Sequence, residues 1–586
     1  MQAVRFSARK LHPLRRPLLL SSALLQAPKP RPFTRNSQLL LVVSPANPRP
    51  QLPFLHPAAT EFRSRQNGGQ WQLSRFLTTE RKAKWKYNAW ITTRTLVICV
   101  VATVFFGVAQ YGIFQERLER DRPTPREWTP LTRWIYRDAR GVDDPAWSMI
   151  GMGDPVVAGR RYKECVKRLE DPEIDGQDVK KQDDFPVKLL GMGKMGKDIE
   201  AKSEPWRRGY HEVLMSLGRC AEALDTWVTD KKRLIVFPPA MVIGPENPNP
   251  LPVPPGAPEA PRVEDCRPAF APPEDFYIKI LTTKGFNARQ RIEAANRLAD
   301  FFVKKGRTQE ADTLYQWALD IAKSAIPEGD SIINKSGIIS EKAQYVTSNI
   351  LSTAKEYAAH KARAGDVGQA LPMLISILRA RRQAPQGPEP NLNASKDNGD
   401  FVTTFLWFIR ENEYPPPPPT GDEPLQRTSA SLCDDAEVMT LIGEILYATS
   451  ASSREKGLKW TRQAIADAEL AMNIGNLDDD QRVKCRNCML AGRHNLEKMV
   501  QQLVRIEEER AAKHGGDAAA TGQSSSWWWP WGKANGKSSE QVLAELNQEL
   551  LDNRHWMVRG ERDAAAEEYK SMRSKNPLSG TLLFST

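Results

Sequence analysis

The sequence predicts an all-α protein: one transmembrane helix followed by an α-solenoid of helix pairs, interrupted by proline-rich insertions. Three observations predict it. The run TLVICVVATVFFGVAQYGIF, Thr95 to Phe114, carries no charge over its twenty residues. The region after it mixes short helical patterns with proline-rich breaks and shows few strand signals. Within those helical patterns one spacing of small, aromatic and glycine positions recurs, the mark of a stacked repeat.

The chain begins with a leader. It has 83 basic and 71 acidic residues, a net charge of +12. Twelve of the basic residues, from Arg5 to Arg75, lie in residues 1–77 beside a single acid, Glu61. The rest of the chain is therefore close to neutral, and the basic balance is a targeting signal rather than a nucleic-acid footprint. No zinc-finger, basic-helix or RNA-recognition pattern accompanies it. Basic, Ser-containing, acid-poor leaders mark mitochondrial presequences. The nearest candidate for a secretory core is LLLSSALL at 18–25. The stretch Ser74 to Thr78 reads as a matrix-peptidase site cut after Leu77, which makes 1–77 a mitochondrial presequence.

Residues 78–94 form a basic segment with Arg81, Lys82, Lys84, Lys86 and Arg94. The span itself, 95–114, extends about 30 Å as a helix, the thickness of a bilayer's hydrocarbon core. Trp85, Trp90 and Tyr111 read as an interfacial belt. Lys/Arg asymmetry across the span is small, so the leader decides the orientation. The N-terminus is expected in the matrix, and the C-terminal domain in the intermembrane space, on a single-pass protein of the mitochondrial inner membrane.

The repeat is clearest in Gln290 to Pro327. Leu298, Ala299, Phe302, Gly306, Ala311, Tyr315 and Ala318 fall on the spacing of the tetratricopeptide repeat. Small residues let two antiparallel helices approach, aromatics fill the gap to the next pair, and the glycine permits the turn. The spacing recurs around Gly218 (Tyr210, Leu214, Ala223, Trp227). It recurs again around Gly365 (Ala354, Tyr357, Ala358, Ala370, Leu374). Ile442, Gly443 and Leu446 open another unit continued by Gly457 and Ala464. Trp556, Gly560, Ala565, Tyr569, Met572 and Pro577 fit a last one. Ala158, Tyr162 and Cys165 read as the second helix of a first unit. The expected organisation is TPR-like units at 115–236, central units at 274–512, and a C-terminal unit at 541–586.

Three insertions interrupt this pattern. Residues 237–273 are proline-dense and read as an extended surface loop. Pro415 to Pro419 is a polyproline segment, read as a stiff connector or an SH3-type ligand. Residues 513–540 read as a disordered Gly/Ala/Ser linker. That linker carries Trp527, Trp528, Trp529 and Trp531, which either pack on the solenoid or anchor it to a membrane interface or a partner.

No catalytic constellation emerges, and no cofactor, metal or nucleic-acid site is expected. Gly191 to Gly196 matches GxGxxG as a string, but no strand precedes it and Pro205 limits the helix after it. Cys485 and Cys488 form CxxC without a second pair at zinc spacing. Core packing, a disulfide and a redox or metal site all remain open for them. Seven scattered histidines, no Walker motif and no nucleophile elbow leave the chain without an enzyme signature.

The order of parts, the basic WKYNAW approach to the span, REWTPLTRW at Arg126 to Trp134, and repeats such as RLADFFVKKGRTQEADTLYQWAL carry a resemblance. The chain resembles the fungal tetratricopeptide-repeat adaptor subunit of the mitochondrial inner-membrane i-AAA protease, over about 90–580. The resemblance implies a non-catalytic adaptor that binds unfolded or membrane protein clients and delivers them to the AAA protease complex for quality-control degradation. Its implied partners are that complex, the clients and membrane lipid. A scaffold for respiratory-complex assembly would use the same architecture.

Overall fold

The computed structural model describes residues 79–147, 152–182, 193–253, 259–327, 329–343, 345–388, 413–474, 477–517 and 539–575. The chain divides into two compact units, 1–102 and 103–586. Fourteen α-helices account for most of the described residues.

Helix α1 (Thr79–Asp121) contains the uncharged run. It is the one described helix long and apolar enough to cross a membrane, and none of its apolar window is buried in the protein. At 43 residues it is about 65 Å long, more than a bilayer core requires. The Thr92 and Thr95 hydroxyls donate to the Asn88 and Ile91 carbonyls at 2.8 and 2.9 Å, so neither is left unsatisfied on the helix surface.

The second unit begins at Thr103, within α1, and in it the end of α1 meets α2 (Pro130–Asp143). Phe114 packs edge-on against Trp147, with ring centroids 5.9 Å apart. The Tyr111 hydroxyl donates to Asp138 at 2.9 Å. Glu119 accepts from Arg133 at 2.7 Å, from Arg137 at 2.8 Å and from the Thr124 hydroxyl. Burial alone would raise the Glu119 carboxyl, but these donors outweigh it and hold the group below its ordinary value.

From here the helices follow one another: α3 (Pro155–Glu170), α4 (Glu204–Ala223), α5 (Glu274–Thr282), α6 (Ala288–Lys304), α7 (Thr308–Ser324), the one-turn α8 (Gly329–Ile332), α9 (Ser348–Arg363), α10 (Val367–Gln383), α11 (Ser431–Thr449), α12 (Arg454–Ile474), α13 (Asp479–Asp517) and α14 (Ser539–Lys575). Apart from α8, each packs chiefly on the helix before and after it. One continuous core runs from Trp128 on the α1–α2 connection to Leu546 on α14.

Two turns show how local chemistry makes the pairs. Helix α6 ends at Gly306, φ +74°, where the Gly306 and Arg307 amides donate back to the Val303 and Phe302 carbonyls at 3.0 and 2.9 Å. Helix α9 ends in the same way at Gly365, φ +87°, with Gly365 and Asp366 donating to Ala362 and Lys361 at 3.1 and 2.9 Å. Both glycines stand in the left-handed region that a Cβ disfavours, and both satisfy carbonyls the helix would leave bare. At the other end, Asn287 and Gln290 form a reciprocal cap on α6, while Thr347 and Asp366 cap α9 and α10.

Other glycines do a different job. Gly218 lies inside α4 and not at a turn, and the Tyr277 ring occupies the space where its Cβ would stand, at 2.7 Å. Gly443 of α11 and Gly457 of α12 face each other, each with its backbone against the other's. Gly560 lies mid-helix, because α14 runs unbroken from Ser539 to Lys575. The expected helix–turn–helix unit at 541–586 is therefore a single helix over its described part.

The few strands are short. β1 (Lys180–Lys181) pairs with β2 (Lys197–Asp198), and β3 (Val228–Asp230) sits between β4 (Val236–Phe237) and β5 (Cys266–Pro268), all antiparallel. The proline-dense segment expected as an extended loop thus starts and ends in a small sheet, with two single-turn helices between. Its prolines block longer strands by removing amide donors.

Candidate functional site

A groove of 910 Å³ opens between α2, α3, α4 and α6, reaching the end of α1 at Leu118 and Arg122. Its floor is built by α4, whose inner face buries Tyr210, Leu214 and Leu217 and whose outer positions Glu212 and Arg219 point to solvent. Helix α6 contributes Glu293 and Arg297, both exposed. Helix α2 contributes Tyr136, whose hydroxyl donates to Glu212 at 2.8 Å, and Arg140, which donates to the Arg122 carbonyl at 3.0 Å.

One side of the groove is closed by the chain itself. Pro417, Pro418 and Thr420 form part of its wall. Arg208 of α4, with its side chain 10% exposed, donates to the Pro415 carbonyl at 2.6 Å and to the Pro416 carbonyl at 2.9 Å. It also donates to the Tyr414 hydroxyl at 3.2 Å, and its guanidinium lies 4.3 Å from the Tyr414 ring centroid. Arg289, near the start of α6, donates to the Pro419 carbonyl at 3.1 Å. Asn349, at the start of α9, donates to the Thr420 carbonyl and to Asp422 at 3.0 and 2.7 Å. The segment therefore crosses the N-terminal parts of α4, α6 and α9, with Pro415 to Pro419 exposed on its outer side.

Burial sets the electrostatics of the lining. His211 is pushed down to about 4 by desolvation, against one bond to the Gln290 carbonyl. Desolvation pushes the Cys220 thiol up to about 12, helped by Asp143. Tyr136 and Tyr162 are raised for the same reason. Tyr414 is raised to about 12 by burial and by nearby Glu212, against Arg208. These groups are held neutral at physiological pH, while the arginines supply fixed donors. Such a surface grips carbonyl and carboxylate oxygens. Among the described residues no group of three or more His, Cys, Asp or Glu is arranged to hold a metal ion.

The sequence-predicted repeat positions fall as follows. Leu298, Ala299, Phe302, Ala311, Tyr315, Ala318 and Ala370 have no exposed surface. The Tyr315 hydroxyl reaches Asp300 at 2.6 Å. Gly306 and Gly365 make the turns described above. Gly560 is buried against Leu490, but Ala565 is exposed, so it does not pack as the repeat spacing requires. The Tyr569 side chain lies outside the described residues, as do Trp527, Trp528, Trp529 and Trp531. Helix α13 continues to Asp517, further than the expected linker boundary.

Cys485 is disulfide-bonded to Cys433 on α11, with Cα atoms 5.1 Å apart, rather than to Cys488. Cys488 is free, partly buried and pushed up to about 12 by that burial. Gly193 and Gly196 of the GxGxxG string pack against α5 at Ile278 and Thr283, and the Gly196 amide donates to the Thr282 hydroxyl at 2.7 Å. Close packing accounts for those two glycines.

Arg208 and Tyr414 are the site residues that sequence reasoning missed. They are 206 residues apart, and nothing local to α4 marks one arginine as a proline-carbonyl clamp. Comparison of the chain with protein-family models, with curated proteins and with solved structures finds no match.

Proposed function

We propose that the protein is a non-catalytic adaptor of the mitochondrial inner membrane, which binds unfolded or membrane protein clients and delivers them to the i-AAA protease. Its helix pairs act as a tetratricopeptide-like α-solenoid, and its groove takes extended polypeptide. The observation that carries this reading is that the groove wall already includes an extended stretch of polypeptide, held through its main-chain carbonyls. Recognition through carbonyls is sequence-tolerant, as an adaptor for many clients needs. A membrane-spanning tether would raise the groove's effective concentration near membrane-bound clients.

The leader and the disulfide support this compartment and orientation. The Cys433–Cys485 bridge supports placing the C-terminal domain on an oxidising side of the membrane, since cytosolic and matrix-like reducing conditions disfavour such bonds. Added protease should digest that domain in mitoplasts and spare it in intact mitochondria. Affinity purification in mild detergent tests the partner directly. AAA protease subunits and short-lived inner-membrane proteins are expected to co-purify. Recovery of respiratory-complex subunits without the protease would overturn the reading in favour of an assembly scaffold.

A further inference from the structure

We propose that Tyr414 to Pro419 is a built-in ligand. It occupies one end of the groove in place of an extended, proline-bearing peptide with an aromatic residue ahead of its prolines, and such a peptide binds by displacing it. This rests on the reading that the groove is where extended polypeptide binds.

The contacts themselves define the ligand. Polyproline leaves its carbonyls free of internal hydrogen bonds and pays little entropy on binding. Arg208 takes two successive carbonyls with two guanidinium nitrogens, and Arg289 takes a third at Pro419. Any peptide in the same conformation presents those oxygens at the same spacing. Tyr414 adds selectivity, because its ring lies 4.3 Å from the Arg208 guanidinium and its hydroxyl is bonded to the same side chain. The proline face away from the groove is exposed, so the segment is held from one side only.

The rest of the strap is fastened differently. Gly421, φ +81°, sits against the Asn349 side-chain amide, and the Asn349 backbone N–H donates to the Gly421 carbonyl at 3.0 Å. Leu425 bonds to the Val346 carbonyl at 2.9 Å. Release of Tyr414 to Pro419 therefore leaves residues from Gly421 onward in place. Beside Pro417 and Pro418 the open groove continues, with exposed Arg219 and Arg297 available to a longer peptide.

The test uses the full chain in detergent and two probes: a fluorescein-labelled peptide of residues 413–420, and a carboxymethylated unfolded protein. A released variant combines Tyr414→Ala, Pro415→Gly and Pro416→Gly. We expect it to bind the peptide at least tenfold more tightly than the unaltered chain. Adding Arg208→Gln should remove that gain. No gain in a variant with unchanged circular dichroism overturns the built-in ligand. If the unaltered chain nonetheless captures the unfolded protein, the groove reading survives that result. If neither probe binds any variant, both readings fall.

Should the released variant fail to fold, benzoylphenylalanine in place of Glu413 supplies a second measurement. Its photo-cross-link to α4 should fall several-fold in excess free peptide, and an unchanged yield overturns displacement.

Discussion

Replacing Gly457 by Ala should destabilise the α11–α12 pair, although alanine is the better helix former. In a solvent-exposed helix interior the exchange stabilises by about 1 kcal/mol. At Gly457 the new Cβ would stand 2.6 Å from the Gly443 carbonyl oxygen, 2.6 Å from the Tyr447 nitrogen and 2.9 Å from the Tyr447 Cα. All three are backbone atoms, so no rotamer change relieves the clash, and the two helices must move apart. Overpacking of that kind costs about 1–3 kcal/mol and more where backbone must shift. Even at the lower end it cancels the propensity gain, and at the upper end it leaves a net loss of about 2 kcal/mol. Nearest-neighbour packing localises the effect. Hydrogen exchange of peptides from 431–474 is therefore the right assay, and that loss corresponds to exchange roughly thirtyfold faster. Gly368→Ala is the control, since its nearest neighbour would be Asp366 Oδ1 at 3.9 Å. It should leave exchange in α10 unchanged or slower. Unchanged or slower exchange across α11 and α12 in Gly457→Ala would refute the close-approach argument.

Three further outcomes are expected. Alkylation without reductant should leave two cysteines unlabelled that reduction exposes, and Cys433→Ser should lower the melting temperature; the bridge closes 52 residues, worth about 4 kcal/mol in the chain-entropy model. Acidification should also destabilise the fold through His211. Its native value of about 4 lies below the ordinary 6.5, so its contribution is complete above pH 6.5 and is lost as pH falls toward 4. The loss is at most about 3 kcal/mol, and denaturant titrations of His211→Gln should show a flatter pH profile. Ala311, with no exposed surface where α7 meets α6, should not tolerate Ala311→Trp; a loss of about 1–3 kcal/mol is expected, read as faster exchange over 288–324.

The helices and most packing positions were legible because their signals are local. Leu298 and Phe302 share a face of α6 at helical spacing, Ala311, Tyr315 and Ala318 share a face of α7, and Gly306 stands where the turn between them is required. Glycine is harder to read. The same residue type serves turns at Gly306 and Gly365, and close approach at Gly218, Gly443, Gly457 and Gly560. Spacing alone cannot separate the two uses, because what decides is the partner across the interface, such as Tyr277 for Gly218. The Cys485 partner was hidden for a related reason. Cys488 is adjacent in sequence, but α11 brings Cys433 to within disulfide reach from 52 residues away. The proline clamp was least legible of all, since it depends on where the chain returns after α10.

That return has a mechanical side. A stack in which each element packs chiefly on its neighbours bends like a spring, and its pitch varies with load. Here a rod of five consecutive prolines, about 3.1 Å per residue and resistant to stretching, is pinned at Arg208, Arg289 and Asn349. Seated, it works as a tie-bar that holds the starts of α4, α6 and α9 at set separations. Unseated, it would free that stretch of the stack to open or close its curvature, so the width of the groove would depend on whether the tie is fastened.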